Sequence, residues 1–199
     1  MKGSLIIIGF FFLGIGAGYF FGMPSSFPLS KISFAALCAL MCGVGFSVGN
    51  NPESLSRFRH LNPGLALLPL FTILGTLAGS AAASWLTPYS TSEGMAVGAG
   101  FGYYSLSSIL ITESKGAALG TIALLSNIVR EIITLLLAPL LARWFGSLAP
   151  ISAGGATSAD TTLPIITRVS GDEFAIVSVY HGFVVDFSVP FLVTLFCSL

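Results

Sequence analysis

The sequence predicts an all-α integral membrane protein with about seven transmembrane segments, two of them built on broken helices. Three observations carry that prediction. Hydrophobic residues make up 54% of the 199-residue chain and charged residues only 8%, with a mean hydropathy of +0.93. A soluble domain devotes about a quarter of its residues to charge, so this chain lacks the polar surface to face water. The apolar residues also fall in runs long enough to cross a hydrocarbon core of about 30 Å. Finally, two of those runs carry glycine, serine and threonine where a regular helix would carry leucine, and such backbone is tolerated at membrane depth only against protein or a watery cavity. Net charge is zero and the basic residues are scattered, which removes the electrostatic basis for nucleic-acid binding.

The elements follow in order. Residues 4–23 form the first span, with Gly14, Gly16 and Gly18 permitting close helix approach or unwinding. Lys2 ahead of this run imitates a signal peptide, but the run is long and has no small-x-small cleavage site, so it reads as a retained span. Residues 32–49 form the second span, and 50–62 a water-loving loop with Glu53, Arg57, Arg59 and His60. Residues 64–86 form the third span, with Pro69 inside it and Trp85 as an interface anchor. Residues 95–112 are long enough to cross, yet Gly98, Gly100, Gly102, Ser105, Ser107 and Ser108 make the segment a poor helix. Residues 117–144 are the longest helical pattern, about 42 Å at 1.5 Å per residue, with Pro139 able to kink it. Residues 151–168 are the second irregular segment, and 174–199 the last span, holding His181, Asp186 and Pro190. Cys38, Cys42 and Cys197 sit in apolar runs without metal-ligand company and read as packing residues; no metal site and no cofactor is expected.

Orientation follows the Lys/Arg bias of the short loops. With the N-terminus inside, Lys2, Arg57, Arg59, Lys115 and Arg168 are cytoplasmic against Lys31 and Arg143 outside, which favours N-in, C-out. If both irregular segments re-enter, Arg143 and Lys115 exchange sides and the balance is unchanged, so charge does not decide between crossing and returning.

The charges at mid-span carry the functional reading. Arg130-Glu131 stands in the middle of the longest helix, with Asn127 one turn before Glu131. A charge at the bilayer centre costs about 3 kcal/mol and faces a protein interior or a cavity. Adjacent helical residues point about 100° apart, so Arg130 and Glu131 need separate partners: a central site for Glu131, and a carboxylate or freed carbonyls for Arg130. Asp160 lies at the midpoint of the broken segment 151–168, where glycines and Pro164 make the break and Thr157 and Ser158 supply hydroxyls. In secondary transporters such interruptions bind substrates and coupling ions. Glu131 and Asp160 therefore form a candidate cation- or proton-binding pair, with Asn127, Arg130, Thr157, Ser158, Ser105, His181 and Asp186 as further candidates. Arg130 also reads as a strut between helices, His181 as a satisfied hydrogen-bonder, and Tyr103 and Tyr104 as packing aromatics. An intramembrane hydrolase is disfavoured: the Tyr-Asp, Gly-x-Gly-Asp and Gly-x-Ser-Gly contexts are missing. A non-transporting scaffold gives no reason for acids at mid-bilayer.

In the motifs at residues 100–113, Asn127-Ile-Val-Arg-Glu131, residues 155–164 and His181-Gly-Phe183, the chain resembles the bacterial lysine exporter family, LysO. The resemblance implies that Glu131 and Asp160 are titratable export residues, and that L-lysine and toxic analogues such as thialysine leave across the inner membrane by proton antiport. It implies an inverted-repeat secondary transporter, with residues 1–49 ending a first repeat and 63–199 forming a second five-helix repeat within one membrane domain. In that scheme the first span and residues 152–168 are the crossing broken helices. Family members carry about three further spans ahead of the region that matches here, so the resemblance also implies a split transporter completed by a small three-helix membrane subunit. Asp186 falls on none of these motifs. A proton- or sodium-coupled carrier of another small solute is the alternative on the same fold.

Overall fold

The computed structural model describes residues 63–199, together with residues 13, 16–20, 42 and 46, all eight of which are helical. The expected spans at 4–23 and 32–49, the loop at 50–62 and their charges otherwise lie outside the described residues. The description is entirely helical. A 3-10 turn, Pro63–Leu67, leads into α1 (Leu68–Ser84). Then follow α2 (Thr91–Gly98), α3 (Tyr104–Lys115), α4 (Ala117–Phe145), α5 (Ala149–Gly154), α6 (Leu163–Ser170) and α7 (Ala175–Ser198).

Among the described residues, three stretches are long and apolar enough to cross a membrane: Pro63–Ser84, Ala117–Phe145 and Asp172–Ser198. Pro69 lies within the first of these stretches, in the first turn of α1, where its missing N–H costs nothing. Trp85, just past α1, is 81% exposed, as an interface anchor requires. Pro139 and Pro190 lie inside α4 and α7.

Among the described residues the two irregular segments, expected as the fourth and sixth of seven spans, each fold as a pair of short helices whose outer ends lie together. In the first, α2 opens beside the end of α1: a Cβ on Gly94 would stand 2.6 Å from Ser84 Cβ. Its returning arm, α3, ends beside the start of α4, where Gly120 abuts Thr112. Cys197, at the far end of α7, lies against Ser114 and within electrostatic reach of both Glu93 and Lys115. Both mouths of the segment are therefore at one end of the bundle. In the second, the Ser170 hydroxyl at the end of α6 donates to the Ser147 carbonyl just before α5, at 2.8 Å, and Ile151 packs with Ile166. This hairpin opens at the other end, beside Leu65, Leu68 and Phe174. The arms are short enough for a return. At 1.5 Å per residue they are about 9–18 Å long, enough to reach the middle of the hydrocarbon core but not to cross it.

The two hairpin tips meet. Residues 99–103 turn the first hairpin, with Phe101 at φ 45° and Gly102 at φ 97°. The second turns through Gly155 at φ 62° and a 3-10 turn over Gly155–Ala159. Ala156 N–H donates to the Phe101 carbonyl at 2.9 Å, and a Cβ on Gly155 would run into that same carbonyl. Glycine is required there by both the backbone conformation and the contact. Pro164, expected to break the helix, instead sits in the first turn of α6 and starts the returning arm. The broken segment 151–168 thus meets the break at 99–103, a pairing that the expected crossing with the first span did not include.

α7 is the post against which both tips lean. Val185, Val189, Val193 and Cys197 pack on Ala96, Ala99, Phe101 and Ile111 of the first hairpin. Gly182 receives the second tip so closely that a Cβ would stand 2.5 Å from Ala159 N and 2.8 Å from the Ala156 carbonyl oxygen. Gly182→Val should therefore lower stability by about 1–3 kcal/mol through overpacking, read as a fall in thermal midpoint in detergent; an unchanged midpoint would contradict the close contact. The hairpin topology predicts that cysteines replacing Glu93 and Lys115 label from one side of the membrane, and those replacing Ser147 and Ser170 from the other. Labelling of Glu93→Cys and Lys115→Cys from opposite sides would mean that the segment crosses.

Candidate functional site

Between the tips lies a cavity of about 370 Å³. The first tip gives it Gly102, Tyr103, Tyr104 and Ser105; the second gives Ala156, Thr157, Ala159, Asp160 and Thr161; α4 gives Glu131, and α7 gives Gly182, Phe183 and Asp186. Three acids from three separate elements thus face one space, and among the described residues no basic side chain lines it. Asp160 follows directly on the 3-10 turn at the tip. One of its carboxylate oxygens accepts the Thr161 amide and, at 3.3 Å, the Thr161 hydroxyl. That hydroxyl is also within hydrogen-bonding reach of Glu131, and the two acids feel each other electrostatically. Tyr104 senses both charges.

Of the residues singled out from sequence, Glu131, Asp160, Asp186, Thr157 and Ser105 line the cavity. Asn127, Arg130, Ser158 and His181 do not; they hold its frame. Asn127 is buried, accepts Gly102 N–H at 2.7 Å and donates to Ala123 O at 2.8 Å, with Ser107 Oγ at 3.4 Å. It fixes the first tip to α4. Arg130 points away from Glu131, as the 100° step dictates. Its Nε donates to Ala153 O at 2.9 Å and Nη2 to Ser152 O at 3.0 Å, with Nη1 3.3 Å from Thr76 Oγ1. The guanidinium also stands 5.9 Å from the Phe101 ring centre. The freed carbonyls at the end of α5, where the helix dipole is negative, are therefore its counter-charge. No carboxylate among the described residues fills that role.

His181 is fully buried and engaged at both ring nitrogens, Nδ1 with Ser158 Oγ at 2.9 Å and Nε2 with Thr72 Oγ1 at 2.9 Å. Ser158 also reaches the Ser178 carbonyl at 3.1 Å, and the Ser178 hydroxyl answers to Ser158 O at 2.7 Å. This lattice ties α1, the second tip and α7 together. The reading of His181 as a satisfied hydrogen-bonder agrees with this placement. Tyr103, Tyr104 and Phe183, read as packing aromatics or unremarked, line the cavity instead. Their signal was their position beside the break at Gly102, where a side chain borders the tip. Thr161, the hydroxyl next to Asp160, carried the same kind of signal.

The lysine exporter LysO family model matches residues 8–197. The chain is 31% identical over 195 residues to Lysine exporter LysO of Escherichia coli strain K12, an alignment that covers 98% of this chain and 64% of that protein. It is 36% identical over 162 residues to a Haemophilus influenzae protein named "Putative lysine exporter", covering 81% of this chain and 82% of the relative. The chain thus spans less than two thirds of the length of the first of these. No solved structure matches it. With a family model matched over nearly its whole length, the chain belongs to the lysine exporter LysO family.

Proposed function

We propose that this protein exports L-lysine, and toxic analogues such as thialysine, across the bacterial inner membrane in exchange for protons. The single observation that carries this reading is that Glu131 and Asp160 face one cavity, while the nearest buried cation among the described residues, Arg130, is spent on backbone carbonyls. A cavity lined by acids, with no basic side chain among the described residues, favours a cationic solute. The names of the two relatives point to lysine as that solute.

In this reading, an ionised Glu131–Asp160 pair binds a lysine ammonium from the cytoplasmic side and releases it outside on taking up a proton. Two neighbouring carboxylates titrate as a coupled pair, so one proton and one ammonium compete for the same charge. α3 begins at the cavity with no side-chain cap on its first turn, and Ser105 lies there; the positive end of that half-helix can orient the substrate carboxylate. Two hairpins that enter from opposite ends and meet at mid-depth support an inverted-repeat transporter, in which either hairpin can open the site to its own side. With returning hairpins, Lys2, Arg57, Arg59, Arg143 and Arg168 lie inside against Lys31 and Lys115 outside, which keeps the N-terminus cytoplasmic and places the C-terminus outside.

In an exporter-deficient cell, Glu131→Gln and Asp160→Asn should each abolish thialysine tolerance and cut lysine export at least about tenfold, since each removes a charge-assisted contact. Protein abundance in the membrane should stay normal. Full tolerance in both variants would refute the carboxylate mechanism. Export of another solute in preference to lysine would favour a proton- or sodium-coupled carrier on the same fold.

A further inference from the structure

The third acid of the cavity differs from the other two. Asp160 is held by the amide and hydroxyl of Thr161, and Glu131 has that hydroxyl within reach. Asp186 has no hydrogen-bond donor and no cation among the described residues; the charge that acts on it is Asp160, another acid. Three described donors are committed elsewhere. Ser188 turns its hydroxyl to Val185 O at 2.6 Å, His181 is bonded at both nitrogens, and Arg130 is spent on Ser152, Ala153 and Thr76. Asp186 is also half-buried inside a membrane protein, one turn along α7 from the Gly182 contact. A carboxylate in that position without a counter-charge among the described residues is costly, and the cavity it lines is a route by which a counter-charge can arrive.

We infer that Asp186 is a specificity-determining residue that takes the second ammonium of a diammonium substrate, leaving Glu131 and Asp160 to the first ammonium and to the proton. This rests on the lysine-export reading. Lysine presents two ammonium groups and one carboxylate, and the cavity offers acids from three elements with which to meet two cations. Asp186 approaches from α7, whereas Glu131 and Asp160 come from α4 and the second tip, so the two ammonium groups have separate anchors. The consequence is a cavity that separates a dication from a monocation of similar size. Lysine and 1,5-diaminopentane satisfy both anchors; glutamine, of similar length with one ammonium, satisfies only one.

The test is counterflow of labelled lysine in proteoliposomes containing the full chain, competed by unlabelled lysine, 1,5-diaminopentane, ornithine and glutamine. The unmodified protein should prefer lysine and the diamine over glutamine by at least about tenfold. Asp186→Asn should collapse that preference and raise the KM for lysine by at least about tenfold, with the maximal rate largely kept. Asp186→Glu should keep the preference for dications and shift it towards the shorter ornithine. An Asp186→Asn protein with normal KM and discrimination would overturn the inference, and so would one that loses only maximal rate. If Asp186→Asn does not fold, Asp186→Glu decides: an unchanged ratio of lysine to ornithine overturns the proposal. Failure of the unmodified protein to bind lysine would sink the export reading itself and this inference with it, whereas lysine binding that is indifferent to Asp186 sinks only the latter.

Discussion

The arrangement depends on where the Arg130 charge goes. A guanidinium at the middle of a membrane helix needs a partner, and Arg130 finds it in the Ser152 and Ala153 carbonyls, with Thr76 and the Phe101 ring beside it. Those four residues belong to the second hairpin, α1 and the tip of the first hairpin. One side chain therefore ties both broken segments to the bundle at the depth where their backbones leave regular helix. The same contact neutralises the carbonyl end of α5 and keeps the positive charge out of the cavity. Glu131, the next residue along, is left facing a space whose other charges are acidic. A single helical step thus separates the frame from the site.

The tips are held by polar contacts as much as by packing. Asn127 grips Gly102, Ser158 and Ser178 exchange hydroxyl–carbonyl bonds, and His181 bridges Ser158 to Thr72. In a low-dielectric interior each of these bonds counts because the alternative is an unsatisfied group. The consequence for function is a division of labour. Residues with saturated hydrogen bonding keep the tips in place, and Glu131, Asp160 and Asp186 face the cavity.

Much of this was legible in the sequence, and what was not has a physical reason. The three long spans follow from hydropathy, and the breaks at residues 100–102 and 155–160 from glycine and hydroxyl content. Glu131 and Asp160 were readable as a pair because acids at mid-span have few other uses. Whether the broken segments cross or return was not readable: a segment of about eighteen residues suits either a crossing or two short arms, and only the contacts of Ser170 with Ser147 and of Cys197 with Ser114 separate the two. Asn127, Arg130, Ser158 and His181 were grouped with the site because polar residues near a break look alike in sequence; which of them faces the cavity is set by packing at the tips. Pro164 was misread as a breaker because proline also starts helices, and here it starts α6.

The central claim is that lysine occupies the cavity between the hairpin tips. The most direct measurement is the rate at which a cysteine replacing Ser105, at the cavity wall, reacts with a soluble thiol reagent in a protein whose Cys38, Cys42 and Cys197 have been replaced by serine or alanine. The account predicts that lysine slows the reaction in a saturable way and that glutamine does so only weakly. A rate indifferent to saturating lysine, in protein that still transports it, would place the substrate elsewhere and contradict the account.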